Sequence, residues 1–135
     1  MELKEYLKQD VNFPFLSEEA LEILGACFEI RLEEIPAGEI RKAGECIGYL
    51  LRGQGMRAQD TAVAKVQTGS LIGIAPGGGS RGHHPVSAVL TAETDCAVLW
   101  IPYDVLEFAC HRSCWFHTRL MLAVEELLEK EKDAV

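Results

Sequence analysis

Ile35-Pro36-Ala37-Gly38-Glu39-Ile40, then Ala43-Gly44-Glu45, then Gly48-Tyr49-Leu50-Leu51-Arg52-Gly53 fall within residues 35–53 as short runs punctuated by glycine. Gly69 and Gly73 continue the pattern, and Val86-Ser87-Ala88-Val89-Leu90 follows. A glycine that interrupts an alternating run marks a turn, because without a Cβ the backbone reaches positive φ freely. The stretch therefore predicts a many-stranded, tightly turned β structure. Strands are expected at 29–35, 39–41, 46–52, 55–58, 62–67, 70–72, 86–91 and 97–101, with Gln59-Asp60-Thr61 as a hairpin tip. Leu50, Val63, Val66, Val89 and Val98 alternate with polar or small neighbours, as half-buried strands do. Many short strands with turns between them favour a jelly roll or a related double-stranded roll.

Helical sequence flanks this region. Ser17 reads as an N-cap, with Glu18 and Glu19 suited to the positive end of a helix over 18–26. Phe13-Pro14-Phe15-Leu16 before it reads as a packing plug. A longer helix is expected over 115–132, carrying an apolar stripe of Phe116, Leu120, Ala123, Val124 and Leu127, widened by Met121 and Leu128. Between Gly73 and Val86 lies the least regular segment, Pro76-Gly77-Gly78-Gly79-Ser80-Arg81-Gly82-His83-His84-Pro85. It reads as a flexible surface loop. The Gly-x-x-x-x-Gly-Lys-Ser/Thr pattern of a phosphate loop is absent.

Length and composition set the outer bounds. A chain of 135 residues, 48% hydrophobic and 25% charged, is one globular domain. Apolar runs are too short to span a bilayer, and the acidic start Met1-Glu2-Leu3-Lys4-Glu5 is no secretion signal, so a cytoplasmic location is expected. Five cysteines at irregular positions fit reduced thiols. The net charge is -8 and the basic residues are scattered, whereas a DNA binder clusters Lys and Arg to neutralise phosphates. Direct nucleic-acid binding by this chain is not expected.

From about Leu16 onward, the order and spacing of glycines and strands resemble the cyclic-nucleotide-binding roll of the Crp-Fnr transcription regulators. The resemblance implies a mainly β fold with flanking helices. A double-stranded β-helix, the jelly-roll type of cyclic-nucleotide-binding domains, would be followed by a long C-terminal dimerisation helix. On that reading residues 1–109 form the roll with its N-terminal helix, and residues 110–135 form the dimerisation helix of the same domain. The interface residues would be Phe116, Leu120, Ala123, Val124 and Leu127. A winged helix-turn-helix normally follows that helix in the family. The ending Lys130-Glu131-Lys132-Asp133-Ala134-Val135 has neither a Gly stop nor a Pro, which favours a chain cut at a domain boundary.

In nucleotide-binding members, the phosphate cassette begins with Gly-Glu, whose carboxylate takes the ribose hydroxyl. It ends with Arg-Ser/Thr-Ala, whose guanidinium grips the cyclic phosphate. The matching positions here read Gly73-Ile74 and Val86-Ser87-Ala88. Each lost charge-assisted contact costs about 1.5 to 3 kcal/mol, so cyclic AMP and cyclic GMP are not expected to bind usefully. Arg81 is the one nearby guanidinium, and nothing in the sequence orients it. The effector is left unidentified, and no cofactor is assigned.

Two histidine-containing patterns invite a metal reading. His83-His84 occupy consecutive positions, which on a strand point to opposite faces, so solvated loop histidines are the preferred reading. Cys110, Cys114 and His117 fall on one face of a continuous helix, but three ligands are one short of a structural zinc site. Asp95-Cys96 followed by this cluster is similar to a branch of Crp-Fnr regulators from anaerobic bacteria. A cupin-like metal protein or enzyme is the alternative of another class, and it needs His-x-His with a later Glu. A ligand-free dimerisation module is the third reading. No Ser-His-Asp or paired-carboxylate pattern stands out, and catalysis is not expected.

Overall fold

A computed structural model of the chain describes residues 3–10, 12–25, 28–77, 82–107 and 115–133. Two short helices, α1 (Leu3–Gln9) and α2 (Glu18–Gly25), lead into β1 (Arg31–Ile35), β2 (Ile40–Lys42), β3 (Cys46–Arg52), β4 (Gln54–Gln59) and β5 (Ala62–Gln67). Then come β6 (Leu71–Ile72), β7 (Ile74–Pro76), β8 (His83–Pro85), β9 (Ala88–Ala92) and β10 (Cys96–Pro102). Helices α3 (Asp104–Glu107) and α4 (Trp115–Asp133) close the chain.

The strands form two four-stranded sheets, ordered β1-β10-β3-β6 and β2-β9-β4-β5, with β7 and β8 as a separate hairpin. Every pairing is antiparallel. The two central strands of the first sheet, CIGYLLR and CAVLWIP, are near-continuous apolar runs, and both of their faces are buried. On the inner face, Leu50, Ile72, Val98 and Trp100 meet Val66, Ala88 and Leu90 of the second sheet. On the outer face, Ile47, Tyr49, Leu99 and Ile101 pack against residues of the helices, including Leu7, Leu24, Leu120 and Val124. The helices thus load one side of a double-sheeted roll.

Local chemistry explains the element ends. Ser17 caps α2, its Oγ accepting from the Ala20 amide at 3.1 Å. Asp60 takes a left-handed φ of 55° at the tip of the β4–β5 hairpin, a conformation that Asp tolerates better than most residues. Phe13 and Leu16 are buried as the plug, with Phe13 edge-on to Tyr49 at 4.7 Å.

Two features depart from the sequence expectation. Part of the segment expected to be an irregular loop is hairpin: Ile74 pairs with Pro85, Ala75 with His84 and Pro76 with His83. Ile74 and Val86 supply buried apolar anchors at its base, which a reading centred on the glycines undervalued. The helix α1 was also not anticipated. It is tied to the roll by Asp10, whose carboxylate accepts from the Tyr49 hydroxyl at 2.9 Å and from the Asn12 amide at 2.9 Å. No described helix is long and apolar enough to cross a membrane.

Candidate functional site

The two segments that the sequence resemblance matches to a phosphate cassette, Gly73-Ile74 and Val86-Ser87-Ala88, lie side by side. Gly73 has φ +89°, and a Cβ there would stand 2.8 Å from the Cys46 carbonyl oxygen, so the turn accepts only glycine without rearrangement. Its amide donates to Gln59 Oε1 at 3.0 Å, while Gln59 Nε2 donates to the Ile74 carbonyl at 3.1 Å. The Val86 amide donates to the Gly73 carbonyl at 3.0 Å and closes the hairpin base. Gln59 is a residue that the sequence reading missed. Its only sequence signal was a place at the end of β4, and its partners are fifteen or fewer positions away across a turn.

The chemistry of the cassette is apolar. Ile74 is buried in the same cluster as Leu120 and Val124, and α4 packs against β7. Val86 and Ala88 are buried and Ser87 is exposed. Arg81 lies outside the described residues. A cleft of about 420 Å³ opens beside the second half, lined by Gly44, Glu45, Pro85, Val86, Ser87, Tyr103 and Asp104. Among the described residues, its charged lining groups are Glu45 and Asp104, both carboxylates.

His83 corrects the reading of both histidines as solvated. It is buried, its Nδ1 lies 2.7 Å from the Tyr103 hydroxyl, and that hydroxyl donates to the His83 carbonyl at 3.2 Å. His84 faces the other way, and its Nδ1–H donates to the Gly77 carbonyl at 2.5 Å. The opposed directions follow from strand geometry, since β8 contains both residues. His117 is buried against the Phe28 ring at 5.1 Å, and its Nε2–H donates to the Val105 carbonyl at 2.6 Å. That nitrogen is therefore engaged by the backbone. Cys110 and Cys114 lie outside the described residues. Among the described residues, no group of three or more His, Cys, Asp or Glu is placed to hold a metal ion.

The apolar stripe of α4 is divided. Leu120 and Val124 have no exposed surface, and Leu127 is buried, all within this one chain. Their apolar area is spent on the chain's own core, and the stripe is wide because it fills that core. Phe116 and Ala123 are half-buried at its border. The opposite face shows Trp115 and Leu122 exposed, seven residues apart and so on one side of the helix. Arg119 stacks over the Trp115 ring at 6.0 Å.

A second cavity of about 350 Å³ is lined by Tyr6, Glu34, Arg52, Asp95 and Cys96 among others. Arg52 is engaged by Tyr6, through a hydrogen bond to its hydroxyl and a position 5.1 Å above its ring. Burial pushes the Cys96 thiol up from its ordinary range, and it donates to the Thr94 carbonyl at 3.3 Å. That is a structural thiol rather than a nucleophile.

No family profile matches the chain, and no curated protein does. Solved structures do. A candidate cyclic nucleotide-binding protein from Geobacter metallireducens GS-15 is similar with a TM-score of 0.56 at 20% identity, over 96% of this chain and 98% of that one. A structure described as PKAR CBD2 with bound Sp-2Cl-cAMPS gives 0.51 at 12% identity, over 96% and 84%. The N-terminal domain of a transcriptional regulator from Streptomyces coelicolor A3(2) gives 0.49 at 20% identity, over 96% and 94%. The first two likenesses, spanning nearly the whole chain, establish that it has the fold of a cyclic-nucleotide-binding-like β-roll with flanking helices and a long C-terminal helix.

Proposed function

We propose that the chain is the effector-sensing and dimerisation domain of a Crp-Fnr-like transcription regulator, and that its effector is neither cyclic AMP nor cyclic GMP. The observation that carries this reading is the burial of Ile74 and Val86 at the two positions where nucleotide binders hold a carboxylate and a guanidinium. In place of those charges the cassette has a hydrophobic anchor that it shares with α4. A ligand that displaces the β7–β8 hairpin acts directly on the packing of that helix, which is what a sensor coupled to a C-terminal output needs. Regulation of transcription rests on the sequence resemblance and on the fold named for nucleotide binding. DNA would be reached through a further domain and not through this acidic chain. The effector is a small molecule held beside the cassette without a phosphate grip, and α4 supplies the contact between two copies.

Calorimetry with cyclic AMP and cyclic GMP tests the negative half. No heat of binding is expected at micromolar ligand, and saturable micromolar binding of either overturns it. Native mass spectrometry of freshly purified protein tests the positive half. A dimer carrying a discrete added mass is expected, and a bare monomer removes both the sensing and the pairing. Stoichiometric iron or manganese in that spectrum would instead favour the cupin-like reading.

A further inference from the structure

The sheet β2-β9-β4-β5 has one face in the core and one face in water, a situation that normally puts polar side chains outward. Here it does not. The inward positions are read from the buried Ala88, Leu90 and Ala92 of β9. The strand register then places Ile40, Thr91, Met56 and Lys65 in one outward row, and Lys42, Val89, Ala58 and Val63 in the next. Ile40 is 59% exposed and Val63 is 68% exposed, the highest values among the exposed large hydrophobic residues together with Trp115. The helix residues of the core pack on the other sheet, so this face is left bare. We propose that it is a docking surface for a protein partner that presents an apolar centre flanked by carboxylates.

Charge selects the partner. Six of the eight outward residues are uncharged, and the two charged ones, Lys42 and Lys65, are both cations on a chain of net charge -8. They stand at diagonal corners, on the two edge strands. Three strand spacings and one two-residue step along the chain separate them by about 16 Å. Neither has an ion-pair partner among the described residues. An acidic molecule that keeps two unpaired cations around an apolar patch is complementary to a partner with carboxylates at matching corners, and such pairs set register as well as rate. A second copy of this face is disfavoured, because it would bring like charges together. An anionic membrane is a poorer fit, since lipid-binding surfaces gather about four to eight basic residues where this face has two.

The test is an amide chemical-shift titration of the isotopically labelled chain with a synthetic amphipathic helix of about 18 residues, leucine along one face and glutamate on both flanks. Shifts are expected at Ile40, Met56, Val63 and Val89, weakening at least tenfold in affinity in the Lys42→Glu/Lys65→Glu variant and falling with added salt. The same peptide with lysine flanks is expected not to bind. Urea unfolding of the variant should match the parent, as both lysines are exposed. Absence of shifts at millimolar peptide, shifts confined to α4, or unchanged binding by the variant overturns the proposal. Sedimentation with phosphatidylcholine–phosphatidylserine vesicles that depends on the two lysines overturns it in favour of a membrane.

Discussion

Trp100 lies across Gly48 on the neighbouring strand, so close that a Cβ on Gly48 would stand 2.7 Å from Cζ3 of the indole. The ring fills the space between the sheets and reaches their rim, where its Nε1–H donates to Glu33 Oε1 at 2.9 Å. The glycine at position 48 therefore has a packing cause, and no positive φ is involved there. Gly48→Ala forces the indole off its seat, and overpacking of this kind costs about 1 to 3 kcal/mol. Urea unfolding followed by tryptophan fluorescence is expected to show a midpoint lowered accordingly; an unchanged midpoint would mean that Trp100 has room to move.

Glu33 joins the two sheets. Its carboxylate accepts from Trp100 in one sheet and from Arg41 Nε in the other, the latter at 2.9 Å. Partial burial pulls its pKa upward, but the hydrogen bonds from Arg41 and Trp100 outweigh that and hold it below the ordinary glutamate range. A carboxyl depressed in the folded state contributes stability in full above its unfolded value of about 4.3 and loses it as pH falls through the folded value. Unfolding midpoints compared between pH 7 and pH 3 should therefore drop less in Glu33→Gln than in the parent, because the variant no longer carries that proton-linked loss. A parallel drop in both proteins would show that Glu33 contributes nothing to the acid limb.

Much of this architecture was legible in the sequence, for identifiable reasons. Cys46 to Arg52 and Ala62 to Gln67 are strands as expected, because local turns bound them, and the long helix begins at Trp115 as its apolar spacing implies. The β7–β8 hairpin was hidden because its anchors are tertiary: Ile74 is held by the helix-side core and Gly73 by the side chain of Gln59. Helix α1 was hidden because its seven residues dock through Leu7, with Asp10 just past the helix end, rather than by a periodic stripe. In the cassette the missing charges could be read directly. That Ile74 turns into the core shared with α4 could not, since alternation along a strand gives a face but not what covers it.

That burial bears on whether a nucleotide site can be built at these positions. Ile74→Glu with Val86→Arg restores the residue types of a nucleotide cassette, yet the new carboxylate would be buried where Ile74 now packs beside the α4 core. An unpaired charge in such a place costs more than about 3 kcal/mol. Burial would raise the folded-state pKa of the new glutamate, so the destabilisation should grow as pH rises from 4 to 8. Thermal unfolding across that range together with cyclic AMP calorimetry checks both halves: a less stable protein that gains no affinity is expected. A stable double variant that binds the nucleotide would place the position-74 side chain in the pocket after all.

The proposed pairing of two copies through α4 can be separated from the stability of one. Leu120 is fully buried beneath the helix, whereas Trp115 and Leu122 are exposed on its other face. Leu120→Asp inserts a charge into the core and is expected to unfold the chain whatever its oligomeric state. Trp115→Asp with Leu122→Asp changes two exposed side chains, gives up the edge contact of Trp115 with the Phe15 ring at 6.1 Å, and puts a carboxylate at position 122 beside Glu125 and Glu126, so it should yield a folded monomer. Sedimentation velocity paired with far-UV circular dichroism distinguishes the cases. Native helix content at monomer mass in the double variant, against a dimeric parent, locates the contact on this face. A double variant that remains dimeric assigns the contact to some other surface, while a monomeric parent leaves Trp115 and Leu122 without a pairing role.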